Sequence, residues 1–355
     1  MDHPLVLGIE TSCDDTACAV LDGAGRVLSS VVSSQLAAHR PYGGVVPEIA
    51  SREHLANWPA VSGEALARAA VSLREVEVVA ATRGPGLVGA LLVGLSVGKA
   101  IAFARSRPFH AVHHLEGHLY SPFLRPPGDP EAPEPPPGRF VGLVLSGGHS
   151  SLFAVEEGAV STLGETRDDA LGEVFDKVGK RLGLPYPQGP KVDELAERGV
   201  PDVPGAHRFP LARLGDTLDF SYSGLKSQAL QEIERLERRL GPIDLGAGDD
   251  PPQEALDLLA AFRAAAIGQV LDRLERLQGR LPFERLAVSG GAAANRLLRR
   301  ELPGWAAARG IDLRLVPLVY SGDNAAMIAH AALLRHRRGL ADDPFAAEAE
   351  SRIPL

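Results

Sequence analysis

Two stretches of this chain repeat one plan. PLVLGIETSCDDTACAVLD (residues 4–22) and FVGLVLSGGHSSLFAVEEG (140–158) each run apolar strand, small polar turn, apolar strand. Similar hairpins opening the two halves of a chain point to a duplicated domain. Each polar turn offers hydroxyl and backbone NH groups, from Thr11 and Ser12 in the first and from Ser146, Gly147 and Gly148 in the second. Such a turn can cradle a phosphate. Taken singly, either reads better as a tight β-turn. A third segment, RLAVSGGAAANRLLRREL (285–302), reads as a strand, the Gly290-Gly291 turn and a helix beginning near Ala293. Helix NH groups there face a ligand, and the dipole favours an anion or polar edge. Three such elements in this order imply a cleft between two domains.

Length agrees, because 355 residues with 45% hydrophobic content exceed what one core usually serves. Residues 125–139, RPPGDPEAPEPPPGR, carry seven prolines and two glycines, so they hold neither a helix nor a central strand and read as an exposed loop. A second polar break, GPIDLGAGDDPPQ (241–253), separates two stretches with apolar residues at three- and four-residue spacing, SGLKSQALQEIERLERRL and EALDLLAAFRAAAIGQVLDRLERLQG. Both are expected to be helices.

The opening residues, MDHPLVLGIETS, show neither a basic segment nor the long apolar run that secretion requires, and no membrane signal is read. Cysteine occurs twice, at Cys13 and Cys18 in one hairpin, which fits a reducing compartment and a cytoplasmic protein. A net charge of −8 argues against coating nucleic acid by bulk electrostatics. Arg296, Arg299 and Arg300 form one local basic cluster and Arg335, Arg337 and Arg338 another, and solvated helix faces account for both.

The most specific chemical signal is His113-His114-Leu115-Glu116-Gly117-His118. Histidines at i and i+4 project to one side of a helix and can bind one metal. The metalloprotease pattern HExxH has the same histidine spacing, with its glutamate directly after the first histidine. Here Glu116 lies two residues from each, roughly 200° around the helix at about 100° per residue. It should point away from the ion. Two histidines leave coordination incomplete. Asp323, in VPLVYSGDNAAMIAHAALL, sits at a strand-to-helix junction, where its local pattern favours capping a helix that starts near Asn324. Two His and one Asp would accept iron(II), zinc or manganese alike.

With these residues in view, the chain resembles the tRNA threonylcarbamoyladenosine transferase family in its bacterial branch. The likeness runs through GIETSCDDTACAV (8–20), GGVVPEIASREH (43–54), TRGPGLVGALLVG (82–94), VHHLEGHL (112–119), LSGGHSSL (145–152), DDALGEVFDKVGKRLGLPYPQGP (168–190), FSYSGLK (220–226), SGGAAANRLLR (289–299) and SGDNAAMIA (321–329). It departs from the family pattern at Ser150, where the family usually has Thr, and at Ser321, Gly322 and Ala325 around the aspartate.

The resemblance implies an α/β fold of two duplicated RNase H-like domains, of the actin, sugar kinase and heat-shock chaperone ATPase type, with a nucleotide cleft between them. Residues 1–124 with 325–355 would form the N-terminal lobe carrying the histidines, 125–139 the proline-rich loop, and 140–324 the C-terminal lobe. His114, His118 and Asp323 would bind one divalent metal per subunit, replacing the cap role for Asp323. Iron(II) is the family's metal, with zinc, manganese or magnesium as alternatives, and an ATP- or AMP-type nucleotide would occupy the cleft. Val144, Leu145, Ser146, Gly147, Gly148, Asp176, Gly189, Asp193 and Asn295 would contact the adenylate substrate. Asp176 and Asp193 would be ribose or base partners, since a carboxylate accepts two hydroxyl hydrogen bonds, where the local pattern alone favours a helix cap or a surface charge for each.

The implied reaction moves a threonylcarbamoyl group from threonylcarbamoyl-AMP to the exocyclic N6 amine of adenosine 37 in tRNAs reading codons that start with adenine. Glu10 and Asp14 are candidates to take the amine proton. Implied partners are an inactive paralogue of the TsaB type, a small ATPase of the TsaE type and a separate enzyme that makes the adenylate. Two other classes stay open at this point: a nucleotide-dependent regulatory ATPase of the same fold, and a metalloendopeptidase, which the register of Glu116 disfavours.

Overall fold

A computed structural model describes residues 4–355 except 130, 132, 203–208, 213, 248 and 249. Pro130 in the proline-rich loop therefore lies outside the described residues. The chain divides into two compact units, Met1–Pro137 with Val316–Leu355, and Gly138–Leu315.

The first unit opens with β1 (Val6–Glu10), β2 (Asp15–Leu21) and β3 (Val27–Ser34), followed by the short turn α1 (Leu36–His39), α2 (Pro47–Arg68), β4 (Val78–Gly84), α3 (Val88–Arg105), β5 (Phe109–His113) and α4 (His114–Tyr120). Its sheet has the order β3-β2-β1-β4-β5. The β1–β2 and β2–β3 pairs are antiparallel, and β1–β4 and β4–β5 are parallel. β1 and β5 are buried throughout, as expected of strands covered on both faces.

The second unit contains β6 (Arg139–Leu145), β7 (Ser150–Glu156), β8 (Ala159–Gly164), α5 (Leu171–Arg181), α6 (Gly189–Ala196), α7 (Ser223–Leu240), α8 (Gln253–Arg280), β9 (Arg285–Ser289), α9 (Arg296–Ala307) and β10 (Asp312–Leu315). Its sheet order is β10-β9-β6-β7-β8. The pairs β6–β7 and β7–β8 are antiparallel, β6–β9 and β9–β10 parallel. The two sheets thus have one topology, β6 to β10 repeating β1 to β5, which is the duplication the hairpins implied in the actin-like form the resemblance implied. Both helices expected around the 241–253 break are present as α7 and α8.

α10 (Ala325–Arg337) closes the first unit. The boundary falls at residues 315 and 316, so residues 316–324, placed in the second lobe on sequence, belong to the first. The physical reason is local anchoring. The Tyr320 hydroxyl donates to the Arg125 carbonyl at 3.2 Å, and α10 lies directly on β1. That approach requires glycine, because a Cβ on Gly8 would sit 2.3 Å from the Ala325 carbonyl oxygen and 2.9 Å from the Ala329 Cβ. Leu7 and Ile9, alternating with Gly8, face the opposite side and join Val79, Leu95 and Phe109 in the core. α3 is long and apolar enough to cross a membrane by length and composition, yet Leu91, Leu95 and Ala102 bury one face of it in this unit.

Candidate functional site

The first-unit site is assembled from three places in the sequence. β1 delivers Glu10 at its C-terminal end, the β5–α4 junction delivers His114 and His118, and the turn before α10 delivers Asp323. The His113 Nδ1 caps α4 by accepting from Leu115 N at 3.1 Å, and its Nε2 donates to the Ile353 carbonyl at 3.1 Å. This helix is therefore tied at its first turn to the C-terminal segment. At α10 the cap is Asn324, whose Oδ1 accepts from Met327 N at 2.9 Å. That corrects the local expectation for Asp323: its neighbour caps the helix, leaving the Asp323 carboxylate to face the histidines.

A second close approach completes the assembly. A Cβ on Gly117 would lie 2.9 Å from Ile328 Cδ1 and 3.1 Å from Met327 Cγ, so α4 and α10 meet at near backbone distance. Asp323 Oδ1 consequently lies 3.2 Å from His118 Nε2 and 3.5 Å from His114 Nε2. The two rings are nearly perpendicular, with centroids 4.7 Å apart. Ligand atoms at about 2.0–2.2 Å from one ion stand roughly 3.0–3.5 Å apart for bond angles between octahedral and tetrahedral. The Asp–His separations fall in that range, and one donor atom from each of the three residues lies within 4.8 Å of the others, so the set suits a divalent cation.

The electrostatics agree. Burial opposes protonation of His114, but the Asp323 and Glu10 carboxylates outweigh it and push its pKa up. Two carboxylates that hold a proton on a buried imidazole provide the field a cation needs. Burial pushes His118 down and favours the neutral ring that a metal ligand needs. Glu116 behaves as its register demanded: it is buried on the other side of α4, with its Oε2 3.5 Å from Arg335 NH1.

The two carboxylates considered as proton acceptors differ. Asp14 is half-buried on the β1–β2 turn. Glu10 is fully buried, accepts from Ser12 N and from Thr82 Oγ1, and lies 3.2 Å from His114 Nδ1.

In the second unit, the positions expected at the adenylate separate by exposure. Val144 and Leu145 are wholly buried strand residues whose backbones pair with Ser151 and Ser150, so their side chains belong to the core. The open part is the turn: Gly147 and Gly148 are exposed, and added Cβ atoms there would meet nothing within 4 Å. Their amides have no partner among the described residues. The turn is held from behind, because Gly172 N donates to the Ser146 carbonyl (3.2 Å) and Glu173 N to the Gly147 carbonyl (3.0 Å). A Cβ on Gly172 would be 2.8 Å from Gly147 Cα.

Asp176 Oδ1 accepts from Gly189 N at 2.7 Å, joining α5 to the start of α6. Asp193 is buried, receiving Arg263 NH1 (3.1 Å), Asn295 Nδ2 (2.8 Å) and Arg296 N (3.0 Å). Asn295 Oδ1 caps α9 by accepting from Leu298 N. The helix after Gly290-Gly291 thus starts at Arg296 and not near Ala293, since residues Gly291–Ala294 form a 3-10 turn. Sequence reasoning missed Arg263 because its only signal, an arginine in an apolar helix stretch, does not say which carboxylate it meets. The arginine clusters are also engaged within the chain: Arg300 pairs with Glu197 (3.1 Å), Arg335 with Asp342 (3.1 Å), and Arg337 donates to the Gly23 carbonyl (2.7 Å).

Comparison with known proteins bears on what these sites serve. A family model for tRNA N6-adenosine threonylcarbamoyltransferase matches residues 26–330. The protein of that name from Pelobacter propionicus is 50% identical over 327 residues, covering 92% of this chain and 90% of that one. The Syntrophobacter fumaroxidans protein is 45% identical over 351 residues, covering 98% and 99%. Among solved structures, T. kodakarensis HypF aligns with a TM-score of 0.59 at 14% identity, covering 95% of this chain and 48% of that one. Component A of the Acidaminococcus fermentans (R)-2-hydroxyglutaryl-CoA dehydratase aligns with a TM-score of 0.50 at 14% identity, covering 95% and 99%. At that identity the structural likenesses speak to fold alone.

Proposed function

The chain belongs to the tRNA N6-adenosine threonylcarbamoyltransferase family, and from that premise we propose how its two units divide the work of the transfer. The enzyme places a threonylcarbamoyl group on the N6 amine of a tRNA adenosine. In our reading the acyl donor is threonylcarbamoyl-AMP and the acceptor is adenosine 37. The new N6–carbonyl bond forms as the acyl–phosphate bond breaks, and AMP leaves with the electron pair. An adenine N6 lone pair is delocalised into the ring, so catalysis falls to positioning and to stabilising charge on the donor.

His114, His118 and Asp323 hold the divalent ion, for which the family resemblance favours iron(II). When bound, such an ion supplies Lewis-acid withdrawal of charge from an acyl or phosphate oxygen. The Gly147 and Gly148 amides donate to the anionic end of the adenylate, and Asp176, which holds the Gly189 amide, is its ribose or base partner. Asp193 and Asn295 act from behind, since their polar atoms already hold Arg263, Arg296 N and Leu298 N. Of the candidate bases, Asp14 is the one on an accessible turn. An unmodified Asp14→Asn pH–rate profile would remove it.

The observation that carries this reading is the convergence of His114, His118 and Asp323 at distances that suit one ion. Glu116 turned toward Arg335 leaves the peptidase alternative without its base. The test is transfer from preformed threonylcarbamoyl-AMP to unmodified tRNA, with and without chelator, and with and without the paralogue and the small ATPase. Chelator-sensitive transfer is expected. Full transfer by metal-free protein would reject the ion's role, and transfer independent of both proteins would reject them as obligatory partners.

A further inference from the structure

Glu10 has no part in the chemistry above, although solvent does not reach it and a buried carboxylate is costly unless its oxygens are satisfied. Here they are. One oxygen accepts from the Ser12 amide, and the other accepts from Thr82 Oγ1 at 2.6 Å and lies 3.2 Å from His114 Nδ1. Ser12 sits just past β1 and Thr82 on β4, which pairs parallel with β1, so the plane of the carboxylate is fixed by both strands. A carboxylate can only accept. His114 Nδ1 must therefore carry the proton and donate it, with Ser12 Oγ alongside at 3.2 Å. The sole lone pair of the neutral ring is then on Nε2, the nitrogen that faces Asp323.

We propose that Glu10 is a positioning residue that fixes the tautomer and ring orientation of His114 and makes its Nε2 a stronger donor to a divalent cation. The inference rests on the metal reading above and deepens it. The second histidine offers a contrast inside the same site. His118 Nδ1 is buried with no hydrogen-bond partner among the described residues, so its ring is held by packing and by Asp323. The tuning of the donor set thus falls on one imidazole, and it comes from a carboxylate 104 residues away in sequence.

Zinc chloride titration of the metal-free full-length chain by calorimetry tests this, beside circular dichroism of each variant. Removing such a partner typically weakens metal binding on the order of tenfold to a hundredfold, and that loss is expected for Glu10→Gln. Thr82→Val, which takes one hydrogen bond from the same carboxylate without touching His114, should change affinity less. Saturated with Co2+, Glu10→Gln should keep the wild-type absorption bands, because the ligands are unchanged. Zinc affinity within threefold of wild type in Glu10→Gln would overturn the positioning role, as would shifted Co2+ bands, which would make Glu10 itself a ligand. Should the Gln variant not fold, Glu10→Asp is judged by the same criteria. The metal reading fails separately: wild type, His114→Ala and His118→Ala would all bind zinc alike, or none would bind it.

Discussion

The two units share a sheet topology yet equip the turn after the first strand of each sheet for opposite tasks. After β1 the chain supplies side chains: Glu10 is sealed in, Ser12 and Thr82 fix it, and two imidazoles and a carboxylate from distant segments complete a set that could hold a cation. After β6 it supplies backbone: Gly147 and Gly148 stand exposed, and the side chains that matter, at Asp176 and Asp193, brace helix starts around them. Duplication therefore preserved the frame while the content of the turn diverged. Acidic side chains suit a cation, and bare amides beside a helix start suit an anion.

That contrast can be broken most directly by removing the side-chain ligands. His114→Ala, His118→Ala or Asp323→Ala should each abolish saturable zinc binding in calorimetry while leaving AMP binding by the second unit near wild type. Loss of both together would mean that the two sites are not separable. Next in size is the packing that brings Asp323 in. Gly8→Ala puts a methyl group 2.3 Å from the Ala325 carbonyl. Overpacking of this kind costs about 1–3 kcal/mol. Lower thermal stability accompanied by weaker zinc binding is expected, and unchanged zinc affinity would uncouple the helix seat from the site.

The mirror experiment is Gly172→Ala, whose Cβ would press on the turn at 2.8 Å from Gly147 Cα. AMP affinity measured by fluorescence competition should fall while zinc affinity holds, and the reverse pattern would refute the division of labour.

The last contrast separates the units by pH. Burial holds His110 at about 4, with Arg335 adding to it, and burial likewise holds His330 at about 4. A histidine whose folded pKa lies below its unfolded value of about 6.5 stabilises the fold above that value. Its contribution is lost as pH falls toward the folded pKa, on the order of 3 kcal/mol for each residue. His110→Phe should therefore gain stability relative to the parent between pH 7 and pH 4, read from denaturant melts at both. In the second unit, burial pushes Asp168 and Asp219 up, but hydrogen bonds outweigh it and hold them below the ordinary carboxylate value. Replacing Asp168 by Asn should produce no such gain until the carboxylate range is reached.

Much of this was readable from local pattern. Both hairpins, α7, α8 and the one-sided His114 and His118 follow from alternation and from the helical repeat. Glu116 pointing away followed from register alone. What the pattern could not supply were pairings across long separations. Nothing around Asn324 announced that it, and not Asp323, would cap α10; on sequence, Asp and Asn serve equally there. The contact of Glu10 with His114 depends on the strand order, and that of Asp193 with Arg263 on how α6 lies against α8. The turn at 291–294 was misjudged because three alanines in a row favour a helix, while the Asn295 cap sets its start one turn later.

The first unit's last helix comes from beyond the whole second unit. On the ribosome, β1 to α4 must wait through the synthesis of residues 138–315 before α10 emerges to cover Gly8 and bring in Asp323. Domains generally fold as units during synthesis. The nascent first unit, however, holds two histidines without Asp323 until translation is nearly over, so on the proposed metal role capture would be a late event, and a chain stalled before residue 323 would leave the cell with a site that cannot close.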